Sequence, residues 1–401
     1  MNGLTEAPPA RRRPIRIAMV VYSYYEIDRR VMRAARALAA RGYLLDVFCL
    51  ARDDADPLPP EEGVRFFRLP LRRKRAGSAS YLMRYGAFFL WATAVLSARH
   101  FRRRYDLVYV HNLPNFLVFT AALPKVTGTK VLLDVHDPAP ELLTAMREDG
   151  PSPWLLRMTR AEERVSLSFA ESVITVNEAM RRRLLGIRPS ARVEVVMNVP
   201  DGEVTLRPPA VARPQGPPRL VYSGTIAYRH GVDLVVEAVA RLTPEFPTLR
   251  LAIVGEGPDT ESVLARGREL GISDRVEFFG HMPSVEVPRF LAGAAAGVSP
   301  LREDEFGALV FSMKVPEYAA AGLPAICART STMRDYFSED ELFFFTPGDV
   351  DDLARVIRQV LNDPVAAAAR STRSLARVRA LDWSVQRDAL IGTVESLVGA
   401  P

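Results

Sequence analysis

Lysine, cysteine and long apolar runs are all scarce in this 401-residue sequence. The only two cysteines, Cys49 and Cys327, each lie inside an apolar run, and neither has the spacing of a metal ligand or a disulfide framework. The longest apolar segment, residues 86–98, is shorter than the roughly 20 residues that a membrane-spanning helix needs. These absences predict a protein of a reducing compartment, with a cytoplasmic location.

Positive charge comes almost entirely from arginine. Lysine supplies only 4 of the 53 basic residues, and the net charge is +6. Acidic residues are interspersed with the arginines along most of the chain, whereas a nucleic-acid-binding protein gathers its positive charge on one face. The balance therefore argues against a nucleic-acid partner. A phosphate-bearing substrate or an anionic membrane surface suits it better.

What is present is a repeated alternation of strand and helix patterns. Seven nearly continuous apolar runs in the first half and six in the second read as strands covered on both faces. Between the first two runs lies an amphipathic helix that Asp28 caps and Gly42 ends. Strand, helix and strand at this spacing form a parallel unit. The fold class is therefore α/β, with doubly wound parallel sheets.

Near residue 200 the alternation stops, and a proline-rich stretch without periodicity reads as a linker. We therefore predict an N-terminal α/β domain over residues 1–203 and a C-terminal α/β domain over residues 204–383. A last helix over residues 384–401 is expected to pack back on the first domain. Ligands of such sheets bind at the carboxyl ends of the strands, so the main site should lie in the cleft between the domains.

The second domain opens with LVYSGTIAYRHGVDLVVEAV, a strand, a loop and a helix. Gly224 permits close approach of the backbone to a ligand. The helix after Gly231 presents free N–H groups to an anion, and Arg229 adds a guanidinium that grips phosphate. An ordinary strand-to-helix turn has the same pattern, so the motif alone leaves both readings open. There is no G-x-G-x-x-G and no Walker lysine motif, which argues against a dinucleotide-binding enzyme or an ATPase.

The stretch FSMKVPEYAAAGLPAI places Lys314 and Glu317 one helical turn apart. Pro316 is tolerated only in the first turn of a helix, so the helix should begin near Met313 or Lys314. An ammonium group suits a phosphate, and a carboxylate suits the hydroxyls of a sugar. The alternative from spacing alone is a surface salt bridge of about 0–1 kcal/mol.

Four ordered motifs together resemble the retaining glycosyltransferases of the GT-B fold, a large family of bacterial polysaccharide and glycolipid enzymes that includes the family 4-like members. The motifs are LVYSGTIAYRHGVDLVVEAV, LAIVGEGP, RVEFFGHM and SMKVPEYAAAGLPAI. The resemblance spans nearly the whole chain. It implies two Rossmann-like domains facing each other across a cleft, with a nucleoside diphosphate sugar as co-substrate, no cofactor and no metal.

The resemblance also implies roles for individual residues. Arg229 and Lys314 would hold the donor diphosphate, Glu317 would bind the ribose, and the backbone near His281 and Met282 would contact the base. The other donor-binding residues that it implies are Gly224, Thr225, His230, Glu305 and Ser312.

Two positions depart from the family pattern. The family's first glutamate falls at Leu309 by spacing, while a Glu-Phe-Gly occurs four residues earlier, at Glu305. Either a longer loop lets Glu305 reach the sugar, or that role is lost. Many members also have a lysine where this chain has His230, so that Arg229 replaces it or His230 itself contacts phosphate.

In the first domain, KVLLDVHDPAPELL ends a predicted strand with His136 and Asp137. The resemblance gives His136 a place facing the donor sugar, with Asp137 orienting the site. His111, near another strand end, is a second candidate. Tyrosines replace the glycines of the family's first loop. Tyr24, Tyr25 and Glu26 are therefore expected, with His111 and Asp137, on the acceptor side.

A membrane contact is a further hypothesis. Basic clusters at residues 72–75 and 102–104 flank an apolar stretch that contains Phe88, Phe89 and Trp91. Such a segment can lie on an anionic surface, in which case the protein would work at the inner face of the membrane. An ordinary buried helix with solvated arginine ends is the alternative.

The sequence thus favours a glycosyltransferase that moves a sugar from a nucleoside diphosphate, preferably UDP, to an acceptor hydroxyl with retention. The acceptor would be a lipid-linked or cell-envelope saccharide. A small soluble acceptor, a nucleotide-sugar epimerase on the same fold and a non-catalytic scaffold stay open as alternatives.

Overall fold

The computed structural model describes residues 13–401 apart from 53–59, 72–77, 146–150, 200–215 and 284–285. Two parallel sheets organise this part of the chain, one of seven strands and one of six. The predicted linker and the boundary at residues 203 and 204 fall outside the described residues. The predicted α/β class with two doubly wound parallel sheets is confirmed.

The first sheet has the strand order β3-β2-β1-β4-β5-β6-β7, and every neighbouring pair is parallel. Its strands are β1 (Arg16–Tyr24), β2 (Leu44–Leu50), β3 (Val64–Leu69), β4 (Leu107–His111), β5 (Lys130–Val135), β6 (Ser172–Thr175) and β7 (Val193–Val195). Its helices are α1 (Arg29–Ala40), α2 (Ser78–Arg102), α3 (Ala122–Val126), α4 (Ala139–Ala145), α5 (Pro153–Phe169) and α6 (Glu178–Ile187).

Both faces of this sheet are covered, which explains why its strands are apolar without alternation. One core contains Phe88 of α2 and Leu167 of α5, packed against strand residues such as Val108. The opposite core contains Leu38 of α1, packed against residues such as Met19. The Asp28 carboxylate caps α1 by accepting a hydrogen bond from the Val31 N–H at 3.4 Å, as the sequence predicts.

The second sheet has the order β10-β9-β8-β11-β12-β13, also parallel throughout. Its strands are β8 (Arg219–Ser223), β9 (Arg250–Val254), β10 (Val276–Phe278), β11 (Ala296–Ser299), β12 (Ala325–Ala328) and β13 (Phe343–Phe345). The helices are α7 (Val232–Leu242), α8 (Thr260–Glu269), α9 (Val287–Leu291), α10 (Lys314–Ala320), α11 (Ser331–Tyr336), α12 (Val350–Asn362), α13 (Pro364–Ala380) and α14 (Trp383–Val398).

The last helix, α14, returns to the first domain. Leu390 and Val394 lie in the same core as α1. The Tyr43 hydroxyl donates a hydrogen bond to the Gly399 carbonyl at 2.9 Å, and the Met197 N–H donates to the Gln386 side chain at 2.8 Å. The chain therefore passes between the two domains twice.

The domains also contact each other directly. The Asn177 side chain donates a hydrogen bond to the Leu309 carbonyl at 2.8 Å, and the Glu178 N–H donates to the Tyr336 hydroxyl at 2.9 Å. These bonds join the start of α6 to the second domain, beside the carboxyl ends of both sheets. They connect the two domains at the cleft.

Helix α2 corrects part of the membrane hypothesis. Phe88 is fully buried, and Phe89 and Trp91 are half-buried against aromatic neighbours. These three side chains face the core and not a membrane. The basic cluster at residues 72–75 lies outside the described residues. Among the helices that the structure describes, none has the length and apolarity to cross a bilayer.

Candidate active site

Helix α10 brings Lys314 and Glu317 to the carboxyl edge of the second sheet, with Pro316 in its first turn as predicted. Tyr318 fixes the helix there, because its hydroxyl donates to the Val298 carbonyl at 3.1 Å and accepts from the Ser223 N–H at 3.2 Å. The ring lies against Gly297, where an added Cβ would come within 2.3 Å of it. The glycine and the tyrosine together set the distance between α10 and the sheet.

Lys314 points from α10 toward the loop after β8. Gly224 has a φ of +136°, and a Cβ there would lie 3.0 Å from Lys314 Cε, so only glycine lets the ammonium approach this backbone. The pKa of Lys314 is lowered to about 8, chiefly by burial, with a smaller contribution from the positive charge of Arg229 and against the opposing effect of Glu317. The site holds an ammonium group whose charge is poorly compensated by the protein.

Arg229 adds a second positive charge near Lys314, and His230 adds a neutral imidazole. Burial, together with the charges of Lys314 and Arg229, lowers the pKa of His230 to about 3, so the imidazole is neutral near pH 7. Neither Arg229 Nε nor His230 Nδ1 has a hydrogen-bond partner among the described residues, although both atoms are buried. Buried polar atoms are normally satisfied, so the unpartnered nitrogen of His230, which lines a cavity, indicates a ligand that completes it.

A cavity of about 290 Å³, the central cavity, lies at this centre. Its lining includes His230, Lys314 and Ser312, whose hydroxyl is 2.7 Å from that of Ser299. Arg229 does not line it, and its guanidinium lies instead 5.9 Å from the Phe306 ring centroid. Arg229 contributes through its positive charge, which helps to lower the pKa of His230 and of Lys314.

A second cavity of about 430 Å³, the outer cavity, adjoins the central one and shares Gly224 and Glu317 with it. His281 and Met282, the residues expected near the base, line it together with Thr225, which is expected near the donor phosphates. The Glu256 carboxylate accepts a hydrogen bond from the His281 N–H at 3.3 Å, which holds that backbone at the rim.

Glu317 stands where the two cavities meet. Its side chain is accessible to solvent, yet the surrounding walls displace enough water to raise its pKa, against the opposing effects of Lys314 and Arg29. A carboxylate in this position can accept hydrogen bonds from a ligand that runs from the outer cavity to the central one. Arg29, from the start of α1, reaches the same cavity from the first domain.

A third cavity, of about 170 Å³, lies between the domains and is called the inter-domain cavity. His136 and Asp137 line it from the first domain, and Phe311 and Met313 line it from the second. Since Phe311 and Met313 also line the central cavity, the three cavities follow one another along the cleft. His136 therefore lies at the opposite end of the series from His281.

Asp134 holds the ring of His136. Its carboxylate lies 3.7 Å from His136 Nδ1 and 3.2 Å from His111 Nδ1, and it accepts a hydrogen bond from the Tyr109 hydroxyl at 2.9 Å. Although burial disfavours its charge, the bonds to His111 and His136 keep the pKa of Asp134 well below its usual range. An ionised Asp134 orients the imidazole so that Nε2 faces Asp137, 3.9 Å away.

His111, Asp134 and His136 are also the group with metal-ligand spacing within the described part of the chain, their ligand atoms lying within 4.8 Å of one another. The Asp134 oxygens are already occupied by the contacts to Tyr109 and both histidines. These contacts position the imidazole of His136.

Comparison with known protein families matches both halves of the chain. The model described as Glycosyl transferase 4-like domain covers residues 26–199, and the model described as Glycosyl transferases group 1 covers residues 206–377. The chain is a GT-B glycosyltransferase of the family 4-like type. The resemblance drawn from the four sequence motifs is confirmed in this respect.

Named relatives of the transferase include a glycogen synthase of Mycobacterium tuberculosis, 28% identical over 57% of this chain and 55% of that protein. The match thus spans about half the length of the glycogen synthase. The 2-deoxystreptamine glucosyltransferase of Streptomyces kanamyceticus is 27% identical over 84% of this chain and 90% of its own length.

Solved structures show the same fold. Sucrose-phosphate synthase from Thermosynechococcus elongatus superimposes with a TM-score of 0.76 at 20% identity, covering 96% of this chain and all of that one. The Anabaena protein HepE, in complex with UDP-glucose, gives a TM-score of 0.67 at 15% identity over 95% of this chain and all of its own. The predicted GT-B architecture is confirmed by these likenesses.

The expected acceptor-side tyrosine loop is corrected by the structure. Tyr25 is fully buried, with its ring 4.7 Å from that of Phe66 and its hydroxyl bonded to Glu61, so the prediction that it lines the acceptor side is wrong. Tyr24 is half-buried against the first-domain core, and Glu26 pairs with Arg68. Because β1 runs through Tyr24 before the chain turns, none of these three residues lines a cavity described above.

Two further placements differ from expectation. His111 is 1% exposed and faces Asp134, so its place is behind His136 and not on the acceptor side. Glu305 is exposed in the turn before the 3-10 segment Gly307–Leu309 and lines neither the central nor the outer cavity. The neighbouring Phe306 lines the inter-domain cavity instead.

Sequence reasoning missed three site residues. Arg29 lines the outer cavity and Arg30 lines the inter-domain cavity, both from the start of α1. The sequence signal was the Asp28 cap, since residues that follow a helix cap at a strand's carboxyl end lie at the ligand edge. Asp134 carried no local signal for its contact with His111, which comes from the neighbouring strand.

Proposed function

We propose that this transferase moves a sugar from a nucleoside diphosphate sugar to an acceptor hydroxyl, with UDP as the favoured nucleotide and with retention of anomeric configuration. One observation carries the proposal. A centre that combines the charges of Lys314 and Arg229 with the unpartnered buried nitrogen of His230 lies between a cavity large enough for a nucleoside and the imidazole of His136.

The leaving diphosphate gains negative charge as the glycosidic bond breaks. Lys314 Nζ and the backbone around Gly224 are placed in the central cavity to receive it, and Arg229 adds positive potential. Because these groups are largely shielded from water, their effect on a developing charge is greater than it would be in solution. Glu317 would accept hydrogen bonds from the ribose at the junction with the outer cavity.

The sugar would then occupy the inter-domain cavity, in front of His136. Asp137 is the one carboxylate among the described residues that line this cavity. A double displacement through a glycosyl-enzyme needs two carboxyl groups at the reacting carbon. The lining therefore favours a front-side reaction, in which the leaving phosphate takes the proton of the acceptor hydroxyl. Closure of the domains would exclude water from this cavity.

The preference for UDP is supported by two solved relatives of the fold, since HepE was solved with UDP-glucose and the Escherichia coli trehalose-6-phosphate protein with UDP-2-fluoro glucose. For the acceptor we propose a lipid-linked or cell-envelope saccharide, with a small soluble acceptor as the second candidate. Both cysteines are free and buried, which supports a cytoplasmic place of action.

The test is a thermal-shift screen with UDP, GDP, ADP and TDP, since a ligand that binds the folded state alone raises the melting temperature. We expect the largest shift with UDP. No shift with any of the four would contradict the proposal and favour a scaffold. Incubation of the enzyme with UDP-glucose alone, followed by NMR of the sugar, separates a transferase from an epimerase. An epimerase inverts a ring carbon of the sugar without an acceptor, whereas a transferase leaves the donor intact or hydrolyses it to glucose.

A further inference from the structure

Three neighbouring helices of the first domain expose an unusual share of the protein's large apolar side chains. Eight of the fourteen that are exposed among the described residues lie on α2, α3 and α5. On α2, Met83 is 73% exposed, Leu90 68% and Phe101 71%. With Ala87 and Ala94 between them, these residues follow helical spacing along the outer side of α2.

Helices α3 and α5 continue this surface. Val126 of α3 is 86% exposed, and Trp154 and Met158 at the start of α5 are 64% and 52% exposed. The Lys125 ammonium donates a hydrogen bond to the Phe169 carbonyl at 2.7 Å, which joins α3 to the end of α5. We call the exposed side chains of α2, α3 and α5 the apolar flank.

The three helices cover one side of the first sheet. Phe88 of α2 and Leu167 of α5 belong to a single core, together with Leu117 of the 3-10 segment that precedes α3. The exposed residues are on the opposite side of the same helices, so the flank is one continuous face. An exposed apolar face that spans three helices marks an interaction surface.

The charges on this face have one sign. Helices α2 and α3 contain no acidic residue, and the two on α5 point inward, since Glu162 accepts from the Asn115 amide and Glu163 pairs with Arg183. Exposed arginines lie at the end of α2 and along α5. They are Arg102, Arg103, Arg104, Arg157, Arg160 and Arg164.

We propose that the apolar flank docks the enzyme on the surface of an anionic lipid bilayer. The apolar side chains would enter the boundary between headgroups and acyl chains, while the arginines contact the phosphates. A second copy of this chain fits less well, because a two-fold contact through the flank would bring like charges together. The proposal is independent of the donor nucleotide and of the transfer reaction.

The test is co-sedimentation of the whole protein with phosphatidylcholine vesicles, with and without phosphatidylglycerol. We expect binding only when phosphatidylglycerol is present, and a loss of binding at high salt. The combined variant Met83→Ser, Leu90→Ser and Phe101→Ser should bind about tenfold or more weakly. The matched control, Val365→Ser with Val385→Ser, removes exposed apolar side chains elsewhere and should bind as the native protein does.

A second variant tests the charge. Arg102→Gln, Arg103→Gln and Arg104→Gln together should weaken binding about tenfold or more, whereas Arg289→Gln in the second domain should leave it unchanged. The UDP-induced thermal shift should be the same in all these proteins, which separates a failure of docking from a failure of the proposed donor site.

Three outcomes would overturn the proposal. The first is that the native protein stays in the supernatant with both kinds of vesicle. The second is that the flank variants sediment as strongly as the native protein, which would assign binding to another surface. The third is a native dimer in sedimentation velocity that the combined serine variant abolishes, without any vesicle binding, which would make a second copy the occupant.

Discussion

Replacing Lys314 by methionine should stabilise the protein and, at the same time, weaken its binding of a nucleoside diphosphate. The methionine keeps most of the length and apolar stem of the lysine but removes the ammonium. In the structure that ammonium lies in a poorly hydrated cavity beside the positive charge of Arg229. A buried charge that is neutralised only by a bound ligand lowers the free energy of unfolding of the unliganded protein.

The size of that cost follows from the pKa of Lys314, which falls from an ordinary 10.5 to about 8. Each tenfold change in proton affinity corresponds to about 1.4 kcal/mol, so keeping the ammonium charged costs up to about 3 kcal/mol below pH 8. This is an upper bound, because the half-buried residue retains some contact with solvent. Loss of a charge-assisted contact to phosphate should weaken UDP binding by about tenfold or more.

The pH dependence has a definite sign. Between about pH 8 and pH 10.5 the folded protein has released this proton while the unfolded chain still holds it. The native protein therefore regains stability over that window, and the advantage of the variant shrinks. Urea unfolding at pH 7 and again near pH 10 measures this difference, and calorimetric titration with UDP at pH 7 measures the affinity.

The matched control is Lys130→Met, which removes an exposed lysine at the start of β5 and should leave UDP affinity unchanged. A Lys314→Met protein less stable than the native one at pH 7 would refute the argument from burial. Equal affinity of the two proteins for UDP would remove Lys314 from the diphosphate site.

Other substitutions test the rest of the site. Glu317→Gln should weaken UDP binding about tenfold, since it removes the acceptor charge for the ribose, and equal affinity in calorimetry would exclude that contact. Tyr318→Phe should lower the free energy of unfolding by about 1–3 kcal/mol in urea, because its hydroxyl bonds Ser223 and β11, and an unchanged value would count against this anchoring role. Asp134→Asn should cut turnover more than tenfold with UDP affinity unchanged, because His136 loses its orienting carboxylate. Parallel losses of both quantities would indicate a structural role instead.

The fold could be predicted from the sequence because strands that are buried on both faces appear as apolar runs. The thirteen apolar runs interpreted as strands correspond to the thirteen strands of the described residues. Asp28 and Gly42 marked the ends of α1 because capping and positive-φ glycines depend on neighbouring residues only. The runs do not contain the order of the strands within each sheet, and that order was not predicted.

The site was only partly readable. Lys314 and Glu317 share one short helix, so their spacing predicted that they lie close together. The hydrogen bond between Tyr318 and the sheet holds that helix at the site. Asp134 was missed because its partner His111 comes from a different strand. The prediction for Tyr25 was wrong because its ring packs against Phe66 of β3. The local sequence around Tyr25 does not reveal this contact between distant residues.

The return of α14 to the first domain has a practical consequence for dividing this protein. A fragment cut at the linker would leave the α1 side of the first sheet without the wall that Leu390 and Val394 provide, and would leave the Tyr43 hydroxyl without its carbonyl. The autonomous unit is thus discontinuous in the chain. Expressing the first lobe alone requires residues 383–399 to be supplied with it, either in trans or by joining the natural C-terminus through a circular permutation.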